Sequence, residues 1–176
     1  MTSAKRKNSC VMAIAPSSRG FGFAVLERGK SLVDWGVKTV KGDKNPGSIE
    51  KVESMLGHYN PGVLVLPDAM VKGARRAPRI GRLCKEIAAL ASKRRIKVVL
   101  LTRDNVRSVF FEDGKGTKHM IAKVLAMRFS NELGHRLPPK RKPWRSEDYR
   151  MEIFDAVPFA VTDELINKGG SGSRPT

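Results

Sequence analysis

The sequence predicts an α/β protein with a mixed five-stranded sheet and helices on both of its faces. Two observations predict this class. Residues 10–40 read as three strands joined by tight turns, because apolar residues there alternate with small or polar ones. Two short apolar runs, 63–66 and 96–101, each follow a segment of helical periodicity. With 176 residues, the chain has room for one sizeable core.

The N-terminal part is predicted to be a three-stranded antiparallel meander. An apolar run over Cys10–Ala15 ends at the turn residues 16–20. Alternating aromatic and small residues follow over 21–27. The Arg-Gly-Lys turn at 28–30 then leads into a third strand at 31–40.

Two crossovers are predicted to extend this meander with parallel strands. Ser48 is predicted to cap a helix that stops at Asn60. The uniformly apolar stretch Val63–Leu66 is typical of a buried strand. A second helix over Pro78–Lys93 leads to the strand Ile96–Leu101. Since a helix makes each crossover, both strands should run parallel to the first.

The C-terminal half is predicted to be helical. Thr102 is a candidate cap for a short helix, and Thr117 for the next one. Residues 137–144 contain three prolines and should be extended and solvated. A last helix should span about 146–167, with Pro158 as its weak point. We therefore expect one domain over residues 10–167, a basic flexible N-terminus at 1–9 and a flexible tail at 168–176.

The charge balance indicates a polyanionic partner. There are 34 Lys and Arg residues against 17 Asp and Glu residues, which leaves a net charge of +17. Cys10 and Cys84 match no metal-binding spacing and indicate a reducing compartment. No apolar run is long enough to span a bilayer. We expect an intracellular protein, cytoplasmic or associated with the nucleoid, that does not bind membranes.

Three stretches of the sequence resemble one nuclease family. The element order is similar to that of the RNase H-like superfamily, and Val11–Phe23 is similar to the first strand of RuvC-type Holliday junction resolvases. The stretch Glu152–Ala160 resembles the last acidic motif of that family. Val63–Asp68 takes the place of the strand that delivers a catalytic Glu. The resemblance implies a Mg²⁺- or Mn²⁺-dependent endonuclease that acts on branched DNA, with a homodimer suited to a two-fold-symmetric substrate.

Two acidic positions of the family are missing here. Ala15 stands where the family has its first Asp, and Pro67 stands where it has Glu. Two metal ions need several carboxylate ligands. We therefore expect this chain to cleave nucleic acid little or not at all. We expect Mg²⁺ or Mn²⁺ as a cofactor only if the protein is active. Ala15 is either an introduced substitution or a natural loss, and Pro67 favours the natural loss. The remaining candidate catalytic residues are Asp155, Glu152, Asp148 and Asp68, of which Asp155 and Glu152 are the candidate metal ligands.

Each remaining acidic candidate has a plainer interpretation. Asp148, Glu152 and Asp155 are spaced i, i+4 and i+7, which places them on one stripe of a helix. Such a stripe is also typical of a solvated helix face. Asp68 can substitute for residue 67 only if the strand ends before it, because successive strand residues face opposite sides.

Two basic segments are predicted to contact phosphates. The first, after the second acidic strand, contains Lys72, Arg75, Arg76, Arg79 and Arg82. The second contains Lys140, Arg141, Lys142, Trp144 and Arg145. Trp144 is expected either to stack on an unpaired base or to cover the start of the last helix. Lys118, at a helix start, is a further candidate for contact with a phosphate or with the shell of a metal.

Two functions remain open at this point. The leading one is a RuvC-like nucleic-acid-binding protein with impaired or lost nuclease activity. The alternative is a structural RNA- or DNA-binding component of a larger nucleoprotein assembly, which turns over no substrate. A resolvase-like protein should prefer branched DNA to duplex, whereas a structural component should depend on RNA for its solubility.

Overall fold

The description rests on a computed structural model, which describes residues 10–27, 31–68, 78–140, 142, 144 and 149–169. Five strands form one sheet in the order β3-β2-β1-β4-β5. The strands are β1 (Cys10–Pro16), β2 (Gly20–Glu27), β3 (Ser31–Thr39), β4 (Val63–Pro67) and β5 (Lys97–Leu101).

The first three strands form the predicted meander, and the other two are parallel to β1. Strands β1 and β2 pair antiparallel, as do β2 and β3. Strand β4 pairs parallel with β1 and with β5. The predicted mixed five-stranded sheet, with a three-stranded antiparallel meander and two parallel strands, is confirmed.

Within the described residues, six α-helices cover the two faces of the sheet. Alternate residues of β1 point to opposite sides, so Met12 and Ile14 pack against the first two helices, while Val11, Ala13 and Ala15 pack against the others. The helices are α1 (Lys44–Tyr59), α2 (Pro78–Lys93), α3 (Arg103–Phe110), α4 (Lys118–Arg128), α5 (Ser130–Leu133) and α6 (Ile153–Gly169).

Two predicted helix starts are wrong. Helix α1 begins at Lys44 after the extended residue Asp43, so Ser48 is not its cap but a fully buried residue inside it. Pro46 lies in the first turn of the helix. Backbone N–H groups there have no hydrogen-bond partner within the helix, so a proline, which has no N–H, breaks no helical hydrogen bond. The last helix begins at Ile153 and is preceded by a 3-10 turn over Tyr149–Glu152.

Other predictions differ from the structure in detail. Strand β5 begins at Lys97 rather than at Ile96, and α6 extends to Gly169, two residues into the predicted tail. Residues 137–140 have no regular structure, as expected, but Pro138 is buried and anchors this segment instead of being solvated. The termini 1–9 and 170–176 lie outside the described residues.

Candidate nucleic-acid interface

A cleft of about 270 Å³ opens where the carboxyl end of β1 meets α6. Its walls come from β1 and from the helices α2, α3, α4 and α6. Most of the described lining residues are apolar, and four charged residues lie among them. The lining residues are Ala15, Pro16, Ile80, Arg103, Val106, Arg107, Lys118, Ile121, Phe154, Asp155, Pro158 and Phe159.

The two missing acidic positions are neighbours in the sheet. Ala13 pairs with Val65 in the parallel ladder, and the same register continued by two residues places Pro67 beside Ala15. Val63 and Val65 share the α6 side of the sheet with Ala15, so alternation puts Pro67 on that side as well. The resemblance therefore places both missing carboxylates side by side at the end of the sheet that borders the cleft.

Asp68 follows β4 directly, and its backbone N–H donates to Leu101 O at 2.9 Å. The ladder thus continues past Pro67, and alternation directs Asp68 away from the face of Ala15. This geometry weighs against Asp68 as a replacement for residue 67. Its role as a ligand stays a prediction.

Asp155 is neutralised by a lysine. The Lys118 Nζ lies 2.7 Å from Asp155 Oδ1, and the two side chains are 33% and 32% exposed. Thr117 caps α4 by accepting from Met120 N–H, which places Lys118 in the first turn of the helix. The structure thus brings together two of the predicted site residues, Lys118 and Asp155, next to Ala15.

Glu152 is also engaged by groups of this chain. Ser17 Oγ donates to Glu152 Oε2 at 3.0 Å, and Arg19 Nε lies 3.8 Å from Oε1. Because Glu152 belongs to the 3-10 turn and Asp155 to α6, the predicted stripe on a single helix is wrong. Asp148 lies outside the described residues.

The described residues do not fit a site for two metal ions. Such a site concentrates carboxylates around the ions. Here Ala15 and Pro67 offer no ligand, Asp155 is paired with Lys118, and the described residues contain no cluster of three or more Asp, Glu, His or Cys side chains. No catalytic step through a metal follows from this arrangement.

The predicted basic segments lie only partly within the described residues. Arg79 donates to Ser17 O at 3.0 Å and to Asn45 Oδ1 at 3.1 Å, which joins α2 to the β1–β2 turn and to α1. Arg82 and Lys140 are exposed. Burial, together with the charges of Lys123 and Lys140, lowers the pKa of His119. The predicted residues Lys72, Arg75, Arg76, Arg141 and Arg145 lie outside the described residues.

Trp144 is an exposed aromatic residue. Its side chain is 76% exposed, and the Lys142 Nζ lies 5.6 Å from the ring centroid. The alternative that Trp144 covers the start of the last helix is therefore wrong. Its stacking on a base stays a prediction.

Sequence reasoning missed two cleft residues, Arg103 and Arg107. They are spaced i, i+4 on α3, which begins at the carboxyl end of β5. The capping box that orients α3 is readable in the sequence, because Thr102 is followed three residues later by Asn105. That signal, combined with the parallel order of β4 and β5, could have identified both arginines.

Three solved structures with a similar fold have low sequence identity to this chain. The Thermus thermophilus RuvC structure matches with a TM-score of 0.66 at 16% identity, covering 92% of this chain and 97% of that one. The fold is that of RuvC. The T. thermophilus RuvC in complex with Holliday junction substrate matches with a TM-score of 0.67 at 14% identity, covering 93% and 97%.

A eukaryotic protein with a similar fold matches as well. The yeast mitochondrial Holliday junction resolvase Ydc2 has a TM-score of 0.58 at 15% identity, covering 91% of this chain and 81% of that one. No family model and no curated protein matches the sequence. No helix within the described ranges is long and apolar enough to cross a bilayer.

Proposed function

We propose that this protein binds branched nucleic acid on a RuvC-type scaffold without cutting it. The observation that carries the proposal is the cleft itself. Ala15 and Pro67 stand at adjoining strand ends, and Lys118 neutralises the nearby Asp155. The acidic machinery of a nuclease is thus replaced by groups that cannot hold two metal ions.

Binding is supported by the fold and by the charge. A RuvC of the same fold has been solved with a Holliday junction substrate. The net charge of +17 gives this chain the electrostatic attraction that a phosphate backbone requires. Branched DNA is therefore the favoured ligand, and a homodimer suits its symmetry.

An electrophoretic mobility shift assay tests the binding. A four-way junction and a duplex of matched sequence are compared in EDTA, with a folded RNA as the third ligand. We expect the junction to bind more tightly than the duplex. Tighter binding of RNA than of the junction would instead favour a structural role in a ribonucleoprotein.

A cleavage assay with the same junction in Mg²⁺ or Mn²⁺ tests the loss of activity. We expect no cutting by the unmodified chain, and its metal-dependent cleavage of the junction would overturn the proposal. If Ala15 is an introduced substitution, Ala15→Asp alone should restore metal-dependent cutting. If the loss is natural, Ala15→Asp should have no effect until Pro67→Glu is added.

A further inference from the structure

The cleft beside Ala15 has the charge of an anion site rather than a metal site. Among the described residues, its lining contains the cations Arg103, Arg107 and Lys118 and the carboxylate of Asp155. Sites for divalent cations have the opposite balance, because several carboxylates surround the ion. An excess of guanidinium and ammonium groups suits a phosphate.

The two arginines of α3 are placed to meet a ligand. Arg103 is exposed, and in the part of the chain that the structure describes no carboxylate lies within ion-pairing distance of it. Arg107 lies 3.6 Å from Asp104, whose side chain is 90% exposed, so water screens that pair. The capping box of Thr102 and Asn105 holds the first turn of α3 in place.

The interior of the cleft fits something larger than an inorganic anion. The lining also has an apolar part, which includes the buried residues Phe154, Phe159 and Pro158. A free phosphate would make no favourable contact with this apolar part. A nucleotide would satisfy both parts of the cleft, since its phosphate carries charge and its base has an apolar face that contacts aromatic groups favourably.

We propose that this cleft binds an unpaired nucleotide without a divalent metal, with its phosphate held by Arg103, Arg107 and Lys118 and its base against the apolar interior. The proposal rests on the proposed function in one respect, that the nucleotide belongs to a bound nucleic acid. Lys118 shares its ammonium between Asp155 and the phosphate. Carboxylates at positions 15 and 67 would repel that phosphate, whereas the uncharged Ala15 and Pro67 do not.

NMR of labelled methyl groups tests this site with thymidine monophosphate in EDTA. We expect the methyl signals of Ile80, Ile121 and Val106 to shift, and Arg103→Gln to weaken binding about tenfold, as expected for one lost hydrogen bond to a charged group. Lys51→Gln, which removes an exposed cation from α1 behind the sheet, should leave binding unchanged. Absence of methyl shifts, or equal effects of both variants, would overturn the proposal.

Thymidine and inorganic phosphate separate the two parts of the ligand. Each alone should bind more weakly than thymidine monophosphate. If inorganic phosphate binds equally well, the base has no place in the cleft and the nucleotide assignment is wrong. Millimolar Mg²⁺ should not strengthen binding to the unmodified chain, and a metal requirement would contradict the metal-free site.

Substitution of Ala15 gives a second, electrostatic test. Ala15→Asp and Ala15→Asn add side chains of nearly equal size, but only the first adds a negative charge. In EDTA, Ala15→Asp should weaken thymidine monophosphate binding more than Ala15→Asn does. Equal weakening by the two variants would mean that the charge of the cleft does not determine binding.

The outcomes distinguish this site from the proposed function. Junction binding that persists while thymidine monophosphate shifts no methyl signal would overturn the nucleotide site alone. Methyl shifts with thymidine monophosphate in a chain that shows no preference for the junction would overturn the proposed function and leave the nucleotide site in place.

Discussion

Gly22 shows how one residue positions the edge of the cleft. A Cβ at this position would overlap the carbonyl group of Glu152, so the 3-10 turn before α6 can approach β2 only because residue 22 has no side chain. That approach holds Glu152 where Ser17 Oγ can donate to it. A glycine in a strand therefore contributes to the site without containing any reactive group.

Replacing Gly22 by Ala should destabilise the protein by about 1–3 kcal/mol, because the turn must move away from the sheet. Urea denaturation measures this cost. Gly81→Ala is the matched control, since a Cβ there meets nothing within 4 Å and alanine favours the α2 helix by about 1 kcal/mol. Equal stabilities of the two variants would contradict the close packing at Gly22.

Replacing Trp144 by Ala should weaken binding to single-stranded or branched DNA by ~1–3 kcal/mol, the usual contribution of base stacking. Because the ring is 76% exposed, the melting temperature should hardly change. Fluorescence anisotropy and thermal denaturation of the same variant measure both quantities. Unchanged DNA affinity would refute the stacking role.

At the scale of elements, α3 and α4 each begin with a threonine cap and each deliver a cation to the cleft. Thr102 accepts from Asn105 N–H, and Thr117 accepts from Met120 N–H. A cap sets where a helix begins and therefore which residues occupy its first turn. Arg103 and Lys118 both lie in such a turn, so two short polar motifs determine where these two cations lie within their helices.

Thr102→Ala should destabilise the protein by about 1 kcal/mol, because the Asn105 N–H loses its side-chain acceptor, while the bond from the N–H of residue 102 to Asn105 Oδ1 is kept. The same change should weaken nucleotide binding by loosening the turn that carries Arg103. Urea denaturation and anisotropy test the two effects. Ser108→Ala, on the exposed surface of the same helix, is the control, and a similar loss in both variants would argue against the cap.

The contact between α1 and β3 should make the protein less stable as the pH rises into the alkaline range. Tyr59 donates its phenol proton to Asp34 Oδ2, and burial together with this bond raises the pKa of Tyr59 to about 12. Folding thus favours the neutral phenol. This contribution is complete below pH 10, the ordinary pKa of tyrosine, and is lost as the pH rises through about 12.

Tyr59→Phe should abolish that part of the alkaline loss of stability. Burial raises the pKa of the Cys10 thiol to about 11, so Cys10 titrates in an overlapping range. The comparison is therefore made in a Cys10→Ala background, with urea midpoints measured below pH 10 and near pH 12. Identical pH profiles with and without Tyr59 would show that its phenol does not contribute.

At the scale of the whole molecule, the net charge of +17 should dominate the affinity for nucleic acid. Neutralising about six phosphates would give a slope near −5 in a plot of log affinity against log salt concentration. Titration of duplex DNA over a range of KCl concentrations measures it. A slope shallower than about −2 would correspond to only about two contacts and would remove the electrostatic argument.

The sequence by itself determined the fold class, because the signals for it are local. The alternation in β1 and β2, the apolar runs of β4 and β5 and the caps at Thr102 and Thr117 each act within a few residues. The absence of carboxylates at Ala15 and Pro67 was equally visible, since a side chain's identity needs no structure. The start of α1 was misplaced because Pro46 and Ser48 are both compatible with a helix start, and only packing buries Ser48 inside the helix.

Only the tertiary structure decided the charge of the cleft. Arg103 and Arg107 belong to α3, Lys118 to α4 and Asp155 to α6, and no sequence spacing relates one of these helices to another. The Lys118–Asp155 pair forms because α4 and α6 pack on the same face of the sheet, and the two arginines reach the cleft because β5 runs parallel to β4. Electrostatic interactions depend on distance in space, which the fold determines and local patterns do not.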